Sequence, residues 1–487
     1  MTFDLNSLLV FALAALLYAG LLSGRWRGWA LLLGSAIGIY WLQPNLAPRF
    51  ASYALQTVTI ALTVLMWALS RKRDDETQQA TWHEDRHTLV ILLLVVFGVA
   101  LLRFVPPDYR PIPYRPPAPL TVGLAVGLVS LIFLGIAKLS EKAEQRKVLT
   151  GGILFVVVLF VVLKTPLLTT AVSHLWRSLT NQDTALAHPS DLAWLGFSYV
   201  AFRLIHTLRD RQTGILPVLS LREYVTYVIF APAYIAGPID RAERFVKDLR
   251  ALPEMVGLDA TRFGAGGYRI ASGLFKKFVI ADLLAQGMSL SITNAEQATS
   301  PLALWILLYG YSLRLFFDFA GYTDIAIGLG ILFGIRLPEN FNRPYLRTNI
   351  TAFWQNWHAT LSSWARFYVF TPLSRTLLRR KPRPSTTAIV FVSQTATMLT
   401  IGLWHGVSWN YVVWGVWHGT ALFVHKQWSD RTRKWYRGLN NKPWQKRVWT
   451  LFSWFLTFNF VCLGWIWFLL PLETAVTVFG KLFGIGW

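Results

Sequence analysis

Long apolar runs, broken by short polar or basic stretches, recur along the whole chain. Leu5–Leu22, Ser52–Leu69, Leu89–Leu102, Leu120–Ile136, Leu149–Leu163, Pro301–Phe319, Ile389–Trp404 and Trp449–Leu470 reach or approach the length a helix needs to cross a bilayer core. Ala30–Leu42, Leu192–Ile205, Tyr224–Ile239, Ile270–Leu284, Ile325–Ile335 and Val412–Val424 are further apolar runs, and some of the whole set are short enough to be tilted or re-entrant. Together they predict an all-α, polytopic membrane protein with roughly eleven spans. Leu5–Leu22 has neither a basic leader nor a small-residue cleavage site, so it reads as the first span rather than a signal peptide.

Composition agrees with that pattern. Hydrophobic residues make up 54% of the 487 and charged ones only 15%, where a soluble domain carries about a quarter; the mean hydropathy is +0.41. The net charge of +22 would suggest nucleic acid in a soluble chain. Here the cations cluster in alternate loops, and no nucleic-acid motif accompanies them. Arg25 and Arg27, then Arg71, Lys72, Arg73 and Arg86, then Lys138, Lys142, Arg146 and Lys147 fill the odd loops. The even ones hold only Arg49, Arg103, Arg110 and Arg115. The positive-inside rule then places the odd loops in the cytoplasm and the N-terminus outside a cell membrane. The single cysteine, Cys462, excludes an intramolecular disulfide.

The chain changes character near residue 190. Residues 1–190 read as hairpins of spans with little intramembrane polarity. They end in the polar connector Lys164–Asp191, and the Pro-rich stretch Arg103–Pro117 should be an extended interfacial loop. From 191 to 487 ionisable groups stand within or beside apolar runs: Arg203, His206, Lys276, Lys277, Arg314, Asp318 and Asp324. Each costs about 2.5 to 3.5 kcal/mol at a span centre, which marks a protein-facing and functional region. Arg314 and Asp318, four apart, are placed to neutralise each other. Asp324, beyond a glycine, is expected at a helix break. "HEDRH" (His83–His87) reads as a solvated charged loop.

The segment Leu337–Leu373 is too polar to cross lipid and too aromatic for an ordinary loop. Thr351 can cap a helix beginning at Ala352, on which Trp354, His358, Ser362 and Arg366 recur every four residues and share a face. Such a helix either lies in the interface or folds back into the protein with His358 facing a cavity. His405 and His418, each followed by glycine, sit in apolar surroundings, where imidazole needs a partner or a task. Gly406 and Gly419 would let a backbone or a substrate approach closely. A metal is disfavoured because no carboxylate or thiol lies at a ligand-like spacing from these histidines. There is no P-loop, no Gly-x-Ser-x-Gly elbow and no dinucleotide fingerprint. "GLGILFG" (Gly328–Gly334) is helix-packing glycine.

The run "FDFAGYTDIAIGLGILFGIRLPENFNRPYLRTNITAFWQNWHATLSSWARFYVFTPL", followed by "GLWHGVSWNYVVWGVWHG", closely resembles the membrane-bound O-acyltransferase (MBOAT) family. The likeness is greatest to its bacterial branch of alginate O-acetylation and teichoic-acid D-alanylation membrane proteins. "YVIFAPAYIAGPIDRAERF" and "GLFKKFVIADLL" resemble that branch's upstream blocks, so the likeness covers about Leu192 to Phe423. Residues 1–190 match only in being multi-span. The resemblance implies helices tilted around a central tunnel. It also implies an active histidine at His405, a second characteristic histidine at His358, and a supporting or structural role for His418.

It further implies an acyl thioester donor, acetyl-CoA or an acyl carrier protein, entering from the cytoplasm as cosubstrate with no bound cofactor or metal. The acceptor would be a hydroxyl on an extracytoplasmic polysaccharide, a cell-wall polymer or a relay carrier, with acetyl as the default acyl group. An extracytoplasmic acyltransferase or polymer-export machinery would then be a partner. Acyl transfer needs a base for the hydroxyl proton and donors for the developing oxyanion, and imidazole suits the first task. His405 is therefore expected as general base and His358 as its partner. Trp404, Trp354 and Trp357 would shape the tunnel and exclude water, and Asn356, Ser362 and Arg366 would bind the donor or brace the helix. Asp318, Asp324 and Asn340 are expected to hold the core. A transporter or flippase, or a scaffold for another acyltransferase, are the competing classes; donor turnover that depends on His405 would separate an enzyme from both.

Overall fold

A computed structural model describes residues 5–71, 81–141 and 143–486; Lys72, Arg73 and Lys142 of the basic loops lie outside them. All regular structure among the described residues is helical. The chain divides into two compact units, Met1–Tyr268 with Ala326–Leu337, and Arg269–Ile325 with Pro338–Trp487.

The helices are α1 (Leu5–Leu21), α2 (Gly24–Leu42), α3 (Ala51–Ser70), α4 (Trp82–Leu101), α5 (Pro119–Glu141), α6 (Gln145–Lys164), α7 (Pro166–Leu179), α8 (Phe197–Gln212), α9 (Leu221–Ile229), α10 (Ala242–Ala251) and α11 (Ala260–Leu274). A π-helical stretch, Phe275–Ala281, leads into α12 (Asp282–Ala285) and α13 (Ile292–Gln297). Then come α14 (Pro301–Leu332), α15 (Ile350–Asn356), α16 (Ala359–Ala365), α17 (Thr371–Arg379), α18 (Thr386–His405), α19 (Trp409–Gly438), α20 (Pro443–Leu469) and α21 (Leu472–Leu482).

Seven of these, α3, α4, α5, α6, α14, α18 and α20, are long and apolar enough to cross a membrane. The rough expectation of eleven counted shorter runs as well. Tyr224–Ile239, for example, holds the end of the nine-residue α9 and a 3-10 turn, too short to span. In α5, Leu120, Leu124, Leu128 and Leu131 are 61–77% exposed. So long an apolar stripe in water would be a docking or aggregation surface, whereas lipid accommodates it without cost.

Two expectations for the central helices are corrected. Pro301–Phe319 and Ile325–Ile335 do not form separate spans, because α14 runs unbroken for 32 residues. Asp324 therefore sits inside a helix, not at a break, and its charge is met by Lys276 and Arg269. Arg314 and Asp318 do not neutralise each other either: Asp318 pairs with Lys277 at 2.5 Å, and Arg314 reaches Ser289 Oγ at 3.4 Å. The glycines explain how these groups meet. A Cβ on Gly273 would lie 2.6 Å from Gly321 O, and one on Gly321 2.7 Å from Gly273 O, so α11 and α14 touch backbone to backbone there.

In the first unit buried polar groups are tied to backbone. Arg203, 2% exposed, donates to Val228 O at 2.7 Å and Ala233 O at 2.8 Å. "HEDRH" is corrected in part. His83 and His87 are exposed as expected, but the motif forms the first turn of α4, and Asp85 is buried where it accepts the Leu221 N–H at 2.7 Å. The connector after Lys164 is α7, locked by a buried Arg177–Asp191 pair at 2.7 Å.

In the second unit α18 and α19 form a close hairpin. A Cβ at Gly415 would lie 2.9 Å from Leu399 Cα, and one at Gly419 2.8 Å from Thr395 Cα. Gly419 thus serves helix packing, and a Cβ on Gly406 would strike the Tyr411 ring at 2.8 Å.

Candidate active site

The polar segment after Pro338 is folded into the second unit, with Trp354, Trp357 and His358 all buried. It is not one helix. Asn349, rather than Thr351, caps α15 by accepting the Ala352 N–H at 2.8 Å, and α15 stops at Asn356. Thr351 instead hydrogen-bonds His425 Nδ1 at 2.8 Å. His358 takes the left-handed conformation, φ 43° and ψ 50°, at the start of α16. The expected shared face of Trp354, His358, Ser362 and Arg366 is therefore broken at His358, and a π-helical turn follows from Arg366 to Phe370.

Asn340 holds this break. It is fully buried; its carbonyl accepts the Ala359 N–H at 2.9 Å and its side-chain oxygen accepts Thr360 Oγ at 2.5 Å. The expectation that Asn340 holds the core is met in a specific place, the turn that presents His358. A non-glycine residue at positive φ is strained and persists only where its surroundings enforce it.

His358 lies outside the seven candidate spans and is 3% exposed. Neither of its ring nitrogens has a hydrogen-bond partner among the described residues. Its ring leans on Phe319, centroids 4.7 Å apart, and on Trp404 at 6.2 Å. Burial away from water pushes the imidazole down to about 3, so it is neutral at physiological pH.

His405 ends α18 and is half-buried. Trp404 lies 4.5 Å from it, Phe468 of α20 meets it edge-on at 4.7 Å, and Tyr411 stacks at 5.9 Å. The Trp404 indole is thus in ring contact with both imidazoles, whose centroids are separated by no more than the sum of those two steps.

His418 is a different case. It is fully buried, accepts the Trp354 indole N–H at 3.4 Å, and is boxed by Trp414 and Phe460. Trp357 packs with Phe353, Phe341 and Trp465, and these rings run on to Trp354, Phe319 and Phe468 beside the three histidines. Asn356 accepts Arg347 at 2.9 Å and its carbonyl accepts the Asn342 N–H, which braces the loop before α15. Ser362 Oγ donates to Trp357 O at 3.4 Å, and Arg366 is exposed at the π-helical turn. The structure therefore gathers His358, Trp404 and His405, and pairs Trp354 with His418. Phe319, Phe468 and Tyr411 were not foreseen. Tyr411 stands six residues after His405, but Phe319 and Phe468 arrive from distant helices and leave no local signal.

A cavity of about 630 Å³ opens beside α14. Phe316, Phe317, Phe341 and Tyr345 line it together with Arg269, Lys276 and Asp324. In the first unit His206, Asp210 and Glu243 bring three potential metal ligands within 4.8 Å of one another. That cluster is already largely paired from within. His206 Nε2 accepts the Ala242 N–H, its Nδ1 faces Asp210 at 3.3 Å, and Arg241 pairs with both acids. The donor set does not fit a metal, because a cation would have to displace a guanidinium already in place.

Comparison with known proteins supplies the family. The chain is 34% identical over 279 residues to a peptidoglycan O-acetyltransferase of Helicobacter pylori, covering 57% of this chain and 50% of that protein. It is 33% identical over 288 residues to a teichoic acid D-alanyltransferase of Streptococcus thermophilus, covering 56% and 68%. A probable alginate O-acetylase of Pseudomonas syringae pv. tomato matches over 359 residues at 32%, covering 72% and 63%. The match thus spans half the length of the first of these relatives and about two thirds of the other two. The model of the membrane-bound O-acyltransferase family matches residues 53–470, reaching well before the Leu192–Phe423 blocks that carried the resemblance, and this chain belongs to that family.

Proposed function

We propose that the protein transfers an acyl group, acetyl by default, from a cytoplasmic thioester to a hydroxyl of an extracytoplasmic polysaccharide, cell-wall polymer or relay carrier. The observation that carries the reading is the pair His358 and His405 in contact with one Trp404 ring. His405 acts as general base: its ring nitrogen takes the acceptor's hydroxyl proton while the oxygen attacks the thioester carbonyl. As the C–S bond breaks, the imidazolium returns that proton to the departing sulfur. His358, neutral and with both ring nitrogens unpartnered, supplies a positioned donor for the carbonyl oxygen or an acceptor for the incoming hydroxyl. Trp404, Phe468 and Tyr411 keep water from the thioester. The relatives are named for peptidoglycan, teichoic acid and alginate, which favours a polymer hydroxyl as the acceptor. Acetyl-CoA and an acylated carrier protein are the two donor classes, and both carry negative charge toward the basic cytoplasmic loops.

Release of free thiol from acetyl-CoA and from an acetylated carrier protein tests this, with purified wild type compared with His405→Ala and His358→Ala of matched monodispersity. A fall of at least a hundredfold in His405→Ala is expected. Equal turnover in wild type and His405→Ala would refute the assignment of the base, and substrate flux without donor turnover would favour a transporter.

A further inference from the structure

The α19–α20 hairpin carries a second groove, of about 1220 Å³, which the acyl-transfer reading does not use. That volume exceeds the roughly 300–1,000 Å³ of sites for drug-sized ligands. One wall is a continuous stripe of α19 at helical spacing, from Trp409 and Val412 to Arg433 and Arg437; the other is the facing side of α20 from Trp449 to Phe460.

Its polarity is graded along its length. At the tip of the hairpin stand Arg433 and Arg437, the two charged residues lining the groove. Both are exposed, and neither makes an ion pair among the described residues. Next come the hydroxyls of Ser429, Thr432, Thr450 and Ser453, followed by a mainly apolar wall of valines, Leu456 and Phe460 into which Thr420, His425 and Thr457 are set, with Thr348 and Asn349 also in the lining. From Val412 to Val424 the apolar wall rises about 18 Å at 1.5 Å per residue, close to the ~15 Å of one hydrocarbon leaflet.

The tip has the features of a membrane boundary. Trp449 packs on Trp435 at 4.9 Å and on Trp428 at 6.1 Å, and tryptophan favours the interface. Residues 426–447 hold eight cations, Lys426, Arg431, Arg433, Lys434, Arg437, Lys442, Lys446 and Arg447, against the single acid Asp430, which Lys426 neutralises at 2.5 Å. The positive-inside rule puts such a tip at the cytoplasmic leaflet, where anionic lipids reside.

We infer that this groove binds one anionic glycerophospholipid. Its phosphate lies between Arg433 and Arg437, its ester region along the Ser/Thr band, and its acyl chains on the Val/Leu/Phe wall. A bilayer lipid is favoured over a protein helix because the charged residues stand at one end of a mainly apolar groove, next to a hydroxyl band, and because both charges are positive.

The test is native mass spectrometry of the full chain in mild detergent, titrated with phosphatidylglycerol or with phosphatidylcholine of the same chains. Wild type should hold one phosphatidylglycerol with at least tenfold preference over phosphatidylcholine. Arg433→Gln with Arg437→Gln should weaken that binding about 30-fold, since each cation beside a lipid phosphate contributes about fivefold. Arg431→Gln with Lys434→Gln removes the same charge outside the groove and should leave binding within about twofold. Ala421→Trp should block both lipids by filling the apolar wall. Equal binding of the two lipids, equal weakening by the two charge-matched pairs, or a co-purifying polypeptide in place of lipid would each overturn the inference.

Discussion

Trp354 donates its indole N–H to Nδ1 of the fully buried His418 at 3.4 Å, joining α15 to α19. With Nδ1 accepting, the neutral ring carries its proton on Nε2, which faces Gly464: a Cβ there would lie 2.8 Å away. His418 is thus placed to hold the helix that delivers His358. His418→Leu would lose a hydrogen bond and leave a buried indole N–H unmet, a cost of about 1–3 kcal/mol. The expected outcome is a lower melting temperature in detergent, with thiol release per folded molecule within about fivefold of wild type. Loss of turnover as deep as in His405→Ala, without loss of stability, would give His418 a direct part in the reaction.

The left-handed backbone at His358 allows the ring and the turn to be separated. Alanine keeps the strain of positive φ and removes the imidazole; glycine removes both. His358→Gly should therefore be more stable than His358→Ala by about 1 kcal/mol, the penalty for a Cβ in that region. Both should lose thiol release alike, because the ring is what acts. Thermal unfolding and turnover measured on the same preparations check this. Recovery of activity in the glycine variant would mean that the site needs the turn and not the imidazole.

What the sequence allowed one to read divides along physical lines. Helical class and most long spans followed from apolar run length, a short-range signal, whereas the choice of His405 and His358 came from the resemblance to the family. The break in the helix at residue 358 was not foreseen: a four-residue repeat carries no mark of a left-handed residue, and the constraint on it comes from Asn340, eighteen residues earlier. The partners of Asp318 and Asp324 were missed for a similar reason. Helical spacing offered Arg314 as the nearest cation, whereas the Gly273–Gly321 contact brings in Lys276 and Lys277 from another helix. Phe468 reaches His405 from sixty-three residues away, a distance over which one sequence carries no pairing information.

Those two acids should differ in weight. Asp324 is 8% exposed at its side chain and answers both Lys276 and Arg269, whereas Asp318 is 31% exposed and Lys277 has Asp282 as a second partner at 3.0 Å. Removing Asp324 strands Lys276 while Arg269 keeps Glu339, so the cost of about 3–5 kcal/mol for a lost buried partner is reduced here toward ~2 kcal/mol, the more so because Lys276 and Arg269 are about one third exposed. Asp324→Asn should therefore lower thermal stability clearly, and Asp318→Asn by less than about 1 kcal/mol. The reverse order would show that the Lys277 pair is the one on which α14 depends.

Burial holds His358 near 3, below the ordinary value of about 6.5. The folded protein therefore refuses a proton that the unfolded chain accepts, and the stability due to neutral His358 is complete above pH 6.5 and is lost as pH falls toward 3. At about 1.4 kcal/mol per pH unit, wild type should lose about 2 kcal/mol between pH 6.5 and 5 relative to His358→Gln, which has no such titration. Melting curves of the two proteins across that range measure the difference. The same pair of proteins tests the division of roles between the histidines. With His358 neutral across this range, the acidic limb of the thiol-release profile should stay in place in the residual activity of His358→Gln. A limb that shifts or vanishes with that substitution would make His358 the group whose proton is titrated in turnover, and His405 its partner.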